Sequence, residues 1–585
     1  MVVIRKVAAV ALILGILVAL AEHVFLPALI AAVILAVVVT VARWACVPRH
    51  HLPRNRVRDL RLRLHLRLHP GRGHATVAEL FLRWGRLASY RESRRTRPDL
   101  SRWQRLTCPD AHSAFIGRAH YRHGIRVDVQ TAGAVIGPPR SNKTALLSRI
   151  AQAAPGPLVV TSSKPDIFNL TSGVRLHRGH GVPWVFNPQG LGGIPSNVRW
   201  SPLAGADEPS VAIRRADAFS SAASTLGAED AQFWAGKASD GLRGFFSAAA
   251  LRNDDMRQVG AWVSASDLSD AISTLIAHHQ DEFAANLAQL TGEAQKTAET
   301  VRMVMSRALG FLSDPALAAA TLPGPGEQFD IDDFLLTGGT LYMLARSNGD
   351  DCTLGPLFAA LAAEIHERAL QLGSRMPGGR LQPPLQMILD EVTRIAPVPL
   401  PAWLADSGGQ GVQVWSGFHG VSQLRSRWGQ HGAQTVLDTS AVKVCTPGVT
   451  DPDMLEHLSR LCGKVSYRQH GQDESWQFTE VLSADMIRQL PPGFALVIRA
   501  SNAVLIARLA KGWRYRPYRR LRRRGQHIAA VPAPADVSAA VPGTVTGRAD
   551  LALPGTRKPA DALPVASAGT SGNGHRGGEH PWSAR

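Results

Sequence analysis

VIGPPRSNKT, residues 135–144, is the stretch on which the prediction of the fold depends. It approaches the phosphate-binding pattern G-x-x-x-x-G-K-[ST], because Gly137, Lys143 and Thr144 are in register with it. Asn142 occupies the position of the second glycine. Since asparagine is among the few residues that readily adopt positive φ, we expect the geometry of the loop to tolerate this replacement.

The sequence around this loop has the strand, loop and helix order that phosphate binding requires. The apolar run GAVIG (133–137) leads into the loop, and the helical pattern KTALLSRIAQAA (143–154) leaves it. The alternative is a Gly/Pro turn that happens to precede Lys-Thr. The candidate nucleotide-binding residues of this stretch are Gly137, Pro138, Pro139, Arg140, Ser141, Asn142, Lys143, Thr144 and Ala145. Lys143 would reach the β- and γ-phosphates, and the hydroxyl of Thr144 would bind Mg²⁺.

An acidic pair follows another apolar run, LQMILDE (385–391). Asp390 and Glu391 stand at the carboxyl end of this predicted strand, the edge at which open α/β sheets bind ligands. We expect Asp390 to join Thr144 in binding Mg²⁺, and Glu391 to orient and deprotonate the attacking water. Together with the loop, the pair predicts an ATP-hydrolysing motor of the RecA-like P-loop type, with ATP and Mg²⁺ as cofactors and with Lys143 and Glu391 as its catalytic residues.

Two polar residues follow a further apolar run, VQVWSGFHGVSQL (412–424). If this strand lies beside the Asp-Glu strand, His419 or Gln423 could contact the γ-phosphate, so both are candidate nucleotide-binding residues. That His419 is an ordinary loop histidine stays open.

The predicted fold is α/β, with a mostly parallel sheet, because short apolar runs alternate with helical segments. The predicted strands lie at 133–137, 157–163, 183–188, 340–345, 385–391, 412–418, 441–447 and 494–500. The predicted segments are a transmembrane hairpin (1–45), a basic juxtamembrane segment (46–125), the first part of a nucleotide-binding domain (126–204), an all-helical insertion (205–310), the second part of that domain (311–515), and a basic run followed by a disordered Ala/Pro/Gly-rich tail (516–585).

Two uncharged apolar runs, 7–21 and 24–42, predict the hairpin, and the arginines on both sides of it predict that both termini and the bulk of the chain are cytoplasmic. A signal peptide followed by a stop-transfer segment is the alternative. The alternating RDLRLRLHLRLHP (58–70) predicts a half-buried strand or a lipid-facing basic ribbon, and RESRRTRP (91–98) predicts a solvated linker.

The charge of the chain favours polyanionic partners. Lys and Arg number 65 against 46 Asp and Glu, which gives a net charge of +19. Such an excess suits nucleic acid or anionic lipid. The five cysteines form no C-x-x-C pair, so the sequence predicts no structural metal and a reducing compartment.

These motifs resemble the membrane-anchored coupling proteins of type IV secretion and conjugation, the VirD/TraG/TraD group. The resemblance covers nearly all of residues 1–515 and is strongest at 389–429, LDEVTRIAPVPLPAWLADSGGQGVQVWSGFHGVSQLRSRWG. The chain departs from the family at Asn142, at Ser162, where an acid is frequent, and at His419, where glutamine is common.

The resemblance implies a homohexameric ATPase at the inner membrane that delivers DNA, single-stranded and bound to a relaxase, or a protein to a secretion channel. It also implies that the helical insertion recognises DNA and substrate. Arg425, Arg427 and Arg460 are candidates for an arginine that acts on a neighbouring subunit. Two alternatives stay open: a membrane-bound receptor or scaffold with weak or no ATP hydrolysis, and an FtsK-like DNA translocase, whose usual C-terminal winged helix the tail cannot supply.

Overall fold

The structure, a computed structural model, describes most of the chain between residues 74 and 532. The described residues are 74–119, 122–223, 231–292, 295–347, 352–468, 476–500 and 502–532. The predicted hairpin (1–45), the strand or ribbon at 58–70 and the tail from residue 533 onward lie outside the described residues. Within the described ranges, no helix has both the length and the apolar composition needed to cross a membrane.

One large sheet organises the described part of the chain. Its eleven described strands lie in the order β2-β1-β13-β12-β9-β3-β8-β7-β4-β6-β5, and β10 pairs with β11 in a separate hairpin. In chain order the strands are β1 (Ser113–Arg118), β2 (Gly124–Asp128), β3 (Gly133–Ile136), β4 (Leu158–Ser162), β5 (Trp184–Phe186), β6 (Thr340–Leu344), β7 (Leu385–Leu389), β8 (Val412–Phe418), β9 (Val442–Cys445), β10 (Lys464–Arg468), β11 (Trp476–Glu480), β12 (Phe494–Arg499) and β13 (Leu505–Leu509).

The seven strands from β9 to β5 are parallel. Beyond β9, the strands β12, β13, β1 and β2 continue the sheet in antiparallel pairs. Every residue of β3, β4, β6, β7 and β8 is buried, because helices cover both faces of a parallel sheet. The prediction of an α/β fold with a mostly parallel sheet is confirmed.

The helices lie on both faces of this sheet. In chain order they are α1 (Val77–Glu79), a π-helix (Leu80–Trp84), α2 (Arg86–Thr96), α3 (Arg102–Thr107), α4 (Lys143–Gln152), α5 (Asp166–His177), α6 (Pro209–Ala223), α7 (Ala231–Arg252), α8 (Met256–Ser264), α9 (Ser269–Ala277), α10 (Asp281–Gly292), α11 (Gln295–Ala308), α12 (Pro315–Ala319), α13 (Ile331–Thr337), α14 (Gly355–Ser374), α15 (Leu400–Asp406), α16 (Val421–Thr439), α17 (Pro452–Cys462), α18 (Ala484–Arg488) and α19 (Arg516–Arg523). Short 3₁₀ turns connect several of them.

Two hydrophobic cores flank the sheet. Helices α4 and α5 pack on one face through residues such as Leu146 and Phe168. On the other face, α14 and the helices from α6 to α12 share a core that includes Phe219, Phe246 and Phe358. The described residues from α6 to α12 form helices and no strand. The limits predicted for a helical insertion, 205 and 310, stay a prediction.

The segment before residue 126 differs from its prediction. Residues 91–98, expected to form a solvated linker, belong largely to helix α2, whose Ser93 and Thr96 are buried. Glu92 of this helix forms an ion pair with Arg499 at 2.9 Å, which fixes α2 to the end of β12. Helix α2 therefore packs on the fold although it is strongly charged, because its small side chains lie on the buried face.

Candidate functional site

The loop at 137–142 leaves the carboxyl end of β3 and enters α4. Gly137 has φ +156°, and a Cβ atom there would lie 1.7 Å from Oγ1 of Thr446, so this position requires glycine. Thr446 follows β9 and donates its hydroxyl to the carbonyl of Ile136 at 3.0 Å. The loop is thus held tightly against the neighbouring strand.

Asn142 has φ +76° and ψ +21° immediately before α4, the left-handed conformation in which a glycine is usually found. Arg140 also has positive φ, at +63°. Alternating backbone conformations of this kind turn successive N–H groups inward and form a concave anion site at the positive end of a helix. Asn142 therefore adopts the backbone conformation that its position requires.

Lys143 is buried at the centre of the loop. Its Nζ donates to the carbonyls of Gly137 at 2.6 Å and Pro138 at 3.0 Å, and lies 2.9 Å from Nδ1 of His419. Burial lowers the pKa of Lys143 to about 8, although the carboxylates of Asp390 and Glu391 oppose this shift. Because an ammonium group can only donate, Nδ1 of His419 is the acceptor in this pair.

Thr144 and Asp390 meet across the site, as the sequence predicts. The hydroxyl of Thr144 donates to Oδ2 of Asp390 at 2.8 Å, from a position 246 residues away in the sequence. Burial raises the pKa of Asp390, and the hydrogen bond from Thr144 opposes the rise. Thr161 donates to the backbone carbonyl of Asp390 at 3.2 Å. A hydroxyl beside a buried carboxylate is the oxygen donor set that Mg²⁺ prefers.

Glu391 follows Asp390 with φ +53°, a strained conformation for a residue with a side chain. The carbonyl of Glu391 accepts from the N–H groups of Arg394 and Ile395, so a tight turn holds this conformation. The carboxylate of Glu391 raises the pKa of both Lys143 and His419, against the stronger effect of burial.

His419 and Gln423 lie beyond the end of β8, which is the neighbour of both β3 and β7. Gln423 accepts a hydrogen bond from the backbone N–H of His419 at 2.9 Å. Burial and the ammonium group of Lys143 lower the pKa of His419, so its ring is neutral at pH 7. His419 directly contacts the lysine of the loop.

The loop fits a nucleotide phosphate by its own geometry. The hydroxyl of Ser141 is buried and has no hydrogen-bond partner among the described residues. The hydroxyl of Thr446 occupies the position that a Cβ atom at Gly137 would take, so the loop can pass this close to β9 only with glycine, and Ala145 is buried one residue beyond Thr144. Pro139 and Arg140 are exposed at the outer side of the loop, whereas Pro138 is half-buried.

The three candidate arginines occupy different environments. Arg427 donates to the carbonyls of Ser221 at 2.8 Å and Ala222 at 2.5 Å, at the carboxyl end of α6. Arg425 and Arg460 line one groove of about 310 Å³ between α16 and α17. Arg427 is thus engaged in joining two elements. Arg425 and Arg460 border the groove and form ion pairs there, with Asp453 at 3.8 Å and with Glu456 at 2.9 Å.

Sequence reasoning missed Thr446, Thr161 and Gly417 as parts of this site. A Cβ at Gly417 would lie 2.9 Å from Oδ1 of Asp390, so glycine there makes room for the carboxylate. Polar or small residues at or just beyond the ends of β4, β8 and β9 are the signal that could have identified them.

Residues 384–492 match the family model described as the TraM recognition site of TraD and TraG. This chain is similar to conjugative coupling proteins. The matched segment includes Asp390, Glu391, His419 and Gln423 and all three candidate arginines, and the resemblance found in the sequence is confirmed.

A solved coupling-protein structure shares the fold, and others are similar at lower scores. The unbound monoclinic form of the bacterial conjugative coupling protein TrwBdeltaN70 is 19% identical, with a TM-score of 0.50, over 69% of this chain and 91% of that one. TrwB in complex with ADP and Mg²⁺ is 20% identical, with a TM-score of 0.49, over 66% and 87%. VirB4 of Thermoanaerobacter pseudethanolicus is 13% identical, with a TM-score of 0.38, over 68% and 96%. No curated protein matches the chain.

Proposed function

We propose that this protein is an ATP-hydrolysing coupling protein that drives a DNA or protein substrate into a type IV secretion or conjugation channel. The observation that carries the proposal is the contact between Thr144 and Asp390. Their 2.8 Å hydrogen bond joins the phosphate-binding loop to the acidic strand end, as a P-loop enzyme requires. The similarity of residues 384–492 to TraD and TraG supports the choice of pathway.

Each site residue has a distinct role in this proposal. The N–H groups of 137–142 and the start of α4 bind the phosphates, and Lys143 neutralises the β- and γ-phosphates. Thr144 and Asp390 bind Mg²⁺, which supplies charge stabilisation to the transferring phosphoryl group. Glu391 accepts a proton from the attacking water. Lys143 must exchange its bonds to the carbonyls of Gly137 and Pro138 for phosphate oxygens.

The setting of this activity is also part of the proposal. The family resemblance and the net charge of +19 support DNA, with a relaxase, as substrate. We propose that the chain works as a homohexamer anchored in the inner membrane by the hairpin at 1–45, with its bulk in the cytoplasm. Arg425 or Arg460 would then act on the site of a neighbouring subunit.

ATP turnover by the full chain, with and without single-stranded DNA, tests the proposal. Lys143→Ala and Glu391→Gln are expected to reduce turnover at least 100-fold, since one loses phosphate binding and the other the base. Lys296→Ala and Glu299→Gln are the matched controls, because both side chains are exposed on α11. Wild-type turnover that neither site variant changes would contradict the proposal.

A receptor that binds nucleotide without hydrolysing it is the second candidate. It is favoured by the contacts of Lys143, whose Nζ is engaged by two carbonyls and by His419. This candidate predicts Mg²⁺–ATP binding that Lys143→Ala removes, together with no measurable turnover by the wild type. Calorimetric binding and turnover measured on the same sample distinguish the two candidates.

A further inference from the structure

The segment from Lys511 to Arg524 is the most basic surface of the described chain. It contains no Asp or Glu, and its basic residues are Lys511, Arg514, Arg516, Arg519, Arg520, Arg522, Arg523 and Arg524. The seven arginines are exposed, and within the described part of the chain none of them forms an ion pair. Charges that are left unpaired on a folded surface are available for an anionic partner.

Helix α19, which carries five of these arginines, is firmly docked. Tyr518 and Leu521 are buried against Val174 of α5. Beyond the helix, the backbone of His527 lies against Gly173 of α5. A Cβ atom added at Gly173 would lie 2.5 Å from the carbonyl carbon of His527. The arginines therefore project from a fixed helix rather than from a flexible tail.

The position of α19 follows from its contact with the last turns of α5. Arg175 of α5 is buried and donates to the carbonyls of Ala154 at 2.6 Å and Gly156 at 2.7 Å, just before β4 begins. It also donates to Thr340, the first residue of β6. These contacts lie at the amino ends of the parallel strands, so α19 lies at the edge of the sheet opposite to Lys143 and Asp390.

The chain enters the described structure at the same edge. His74 forms a β-bridge with Val504, the residue just before β13. Because β13 runs in the same direction as the parallel strands, Val504 lies at the edge formed by their amino ends. Next to this entry, Phe81 and Leu82 are 55% and 50% exposed. Trp513, beside the arginines, is 39% exposed. Exposed apolar and aromatic side chains among arginines are typical of surfaces that lie against a bilayer.

We propose that α19 and its flanking arginines form a docking surface for the phosphate headgroups of anionic phospholipids. This inference rests on the membrane anchorage proposed above. The hairpin predicted at 1–45 would bring this edge of the sheet to the bilayer, and the arginines would then bind the anionic leaflet. The nucleotide edge would face away from the membrane.

A nucleic acid is the competing occupant of this surface. The location favours lipid, because the surface lies at the edge where the described residues begin, at His74, and the sequence that precedes His74 contains two apolar runs. The exposed arginines of α2 follow His74 closely in the chain, and residues 58–70, which precede it in the sequence, are also rich in arginine.

Tryptic cleavage of the full chain in lipid nanodiscs tests the inference. Discs of phosphatidylcholine alone are compared with discs containing equal parts of phosphatidylcholine and phosphatidylglycerol. Cleavage after the arginines at 519–524 is expected to be about tenfold slower in the anionic discs, and added salt should reduce this protection. Arg257, exposed in the helical segment, provides the control site and should be cleaved equally in both.

The variant Arg519→Gln/Arg520→Gln/Arg523→Gln keeps the buried Tyr518 and Leu521, so its thermal unfolding and ATP turnover should match those of the wild type. Cleavage at its remaining sites, after Arg522 and Arg524, should show little difference between the two kinds of disc. Equal cleavage of the wild type in both lipids would overturn the inference. Protection by a single-stranded oligonucleotide, and not by anionic lipid, would assign the surface to nucleic acid.

Incorporation into the neutral discs tests the anchorage separately. If the chain does not incorporate, the anchorage proposal fails, and sedimentation with vesicles of the same two compositions tests the surface. The wild type should then prefer the anionic vesicles and the triple variant should lose that preference. The absence of any preference in the wild type would overturn the inference.

Discussion

Asn142 shows how one residue determines whether the loop can form. Its φ of +76° is accessible to asparagine and glycine but costs a β-branched residue about 1–2 kcal/mol. We expect Asn142→Gly to change the free energy of unfolding by less than about 1 kcal/mol. Asn142→Val should lower it by about 1–2 kcal/mol and weaken Mg²⁺–ATP binding. Urea unfolding and calorimetry measure both quantities, and a tenfold gain in turnover by Asn142→Gly would instead show that asparagine limits hydrolysis.

His366 makes the stability of the chain depend on pH. Its ring stacks on Trp403 at 4.2 Å, with Nε2 2.7 Å from Oγ of Ser407, and burial lowers the pKa of His366 to about 4. The unfolded chain therefore takes up this proton first as the pH falls, near pH 6.5. The stability that the neutral, buried ring of His366 contributes is fully present above about pH 6.5 and is lost progressively as the pH falls to about 4.

Between pH 7.5 and 5, the wild type should consequently lose about 2 kcal/mol more unfolding free energy than His366→Gln. Other buried histidines, such as His180, are common to both proteins and cancel in the difference. Denaturant unfolding at the two pH values measures this difference. Equal losses in the two proteins would show that His366 takes up its proton at the same pH in the folded and the unfolded chain.

Helix α16 connects the nucleotide edge with the helical segment. It begins two residues after His419, contains Gln423, and reaches the end of α6 through Arg427. Arg427→Met removes the guanidinium that donates to two carbonyls of α6, and so weakens the contact between α16 and the helical segment. It should therefore reduce the DNA-stimulated part of ATP turnover about threefold to tenfold and leave the basal rate unchanged. Ser426→Ala, exposed on the same helix, is the control. An equal fall in the basal and stimulated rates would contradict this coupling role.

Some strands and helices could be predicted from the sequence and others could not. Seven of the eight predicted strands belong to the parallel part of the sheet, and their mainly apolar runs remain recognisable because both faces of a parallel sheet are buried. Strands β1, β2 and β13 carry Arg118, Arg126 and Arg508, and the pairing of β1 with β13 joins residues that are distant in the sequence, so neither composition nor local pattern identified this part of the sheet. Helix α2 was missed because its arginines conceal the buried small residues Ser89, Ser93 and Thr96.

The candidate site was more predictable than its surroundings. Lys143, Thr144 and Asp390 could be named because a motif fixes their positions relative to a strand end. Thr446 and Gly417 support these residues from neighbouring strands, and no spacing rule links them to the loop. The contact between Lys143 and His419 depends on strand order, which the sequence pattern did not determine.

For the whole molecule, the shared core predicts cooperative unfolding of the helical segment and the sheet. Arg215 of α6 and Glu364 of α14 form a buried ion pair at 3.3 Å, and Arg215 also donates to the carbonyls of Pro202 and Ala204. Arg215→Met removes this partner, and Glu364 keeps only the longer ion pair with Arg214 at 3.6 Å, so the free energy of unfolding should fall by about 3 kcal/mol.

Calorimetry of the wild type should show that the helical segment and the sheet unfold in a single transition, which Arg215→Met shifts as a whole. Arg257→Met, on an exposed surface of the helical segment, should leave it in place. Two separate transitions, only one of them sensitive to Arg215, would show that the helical segment unfolds independently.

The placement of β1 and β2 beside β13 has a consequence for synthesis on the ribosome. The hairpin of β1 and β2 can join the sheet only through Gly117 and Arg118, which pair with Leu509 and Arg508. At about 5–20 residues per second, that partner is translated roughly 20–80 seconds after the hairpin itself. The first of the described strands to be made are therefore among the last to be incorporated, and a nascent chain that stops before β13 would leave them without their place in the sheet.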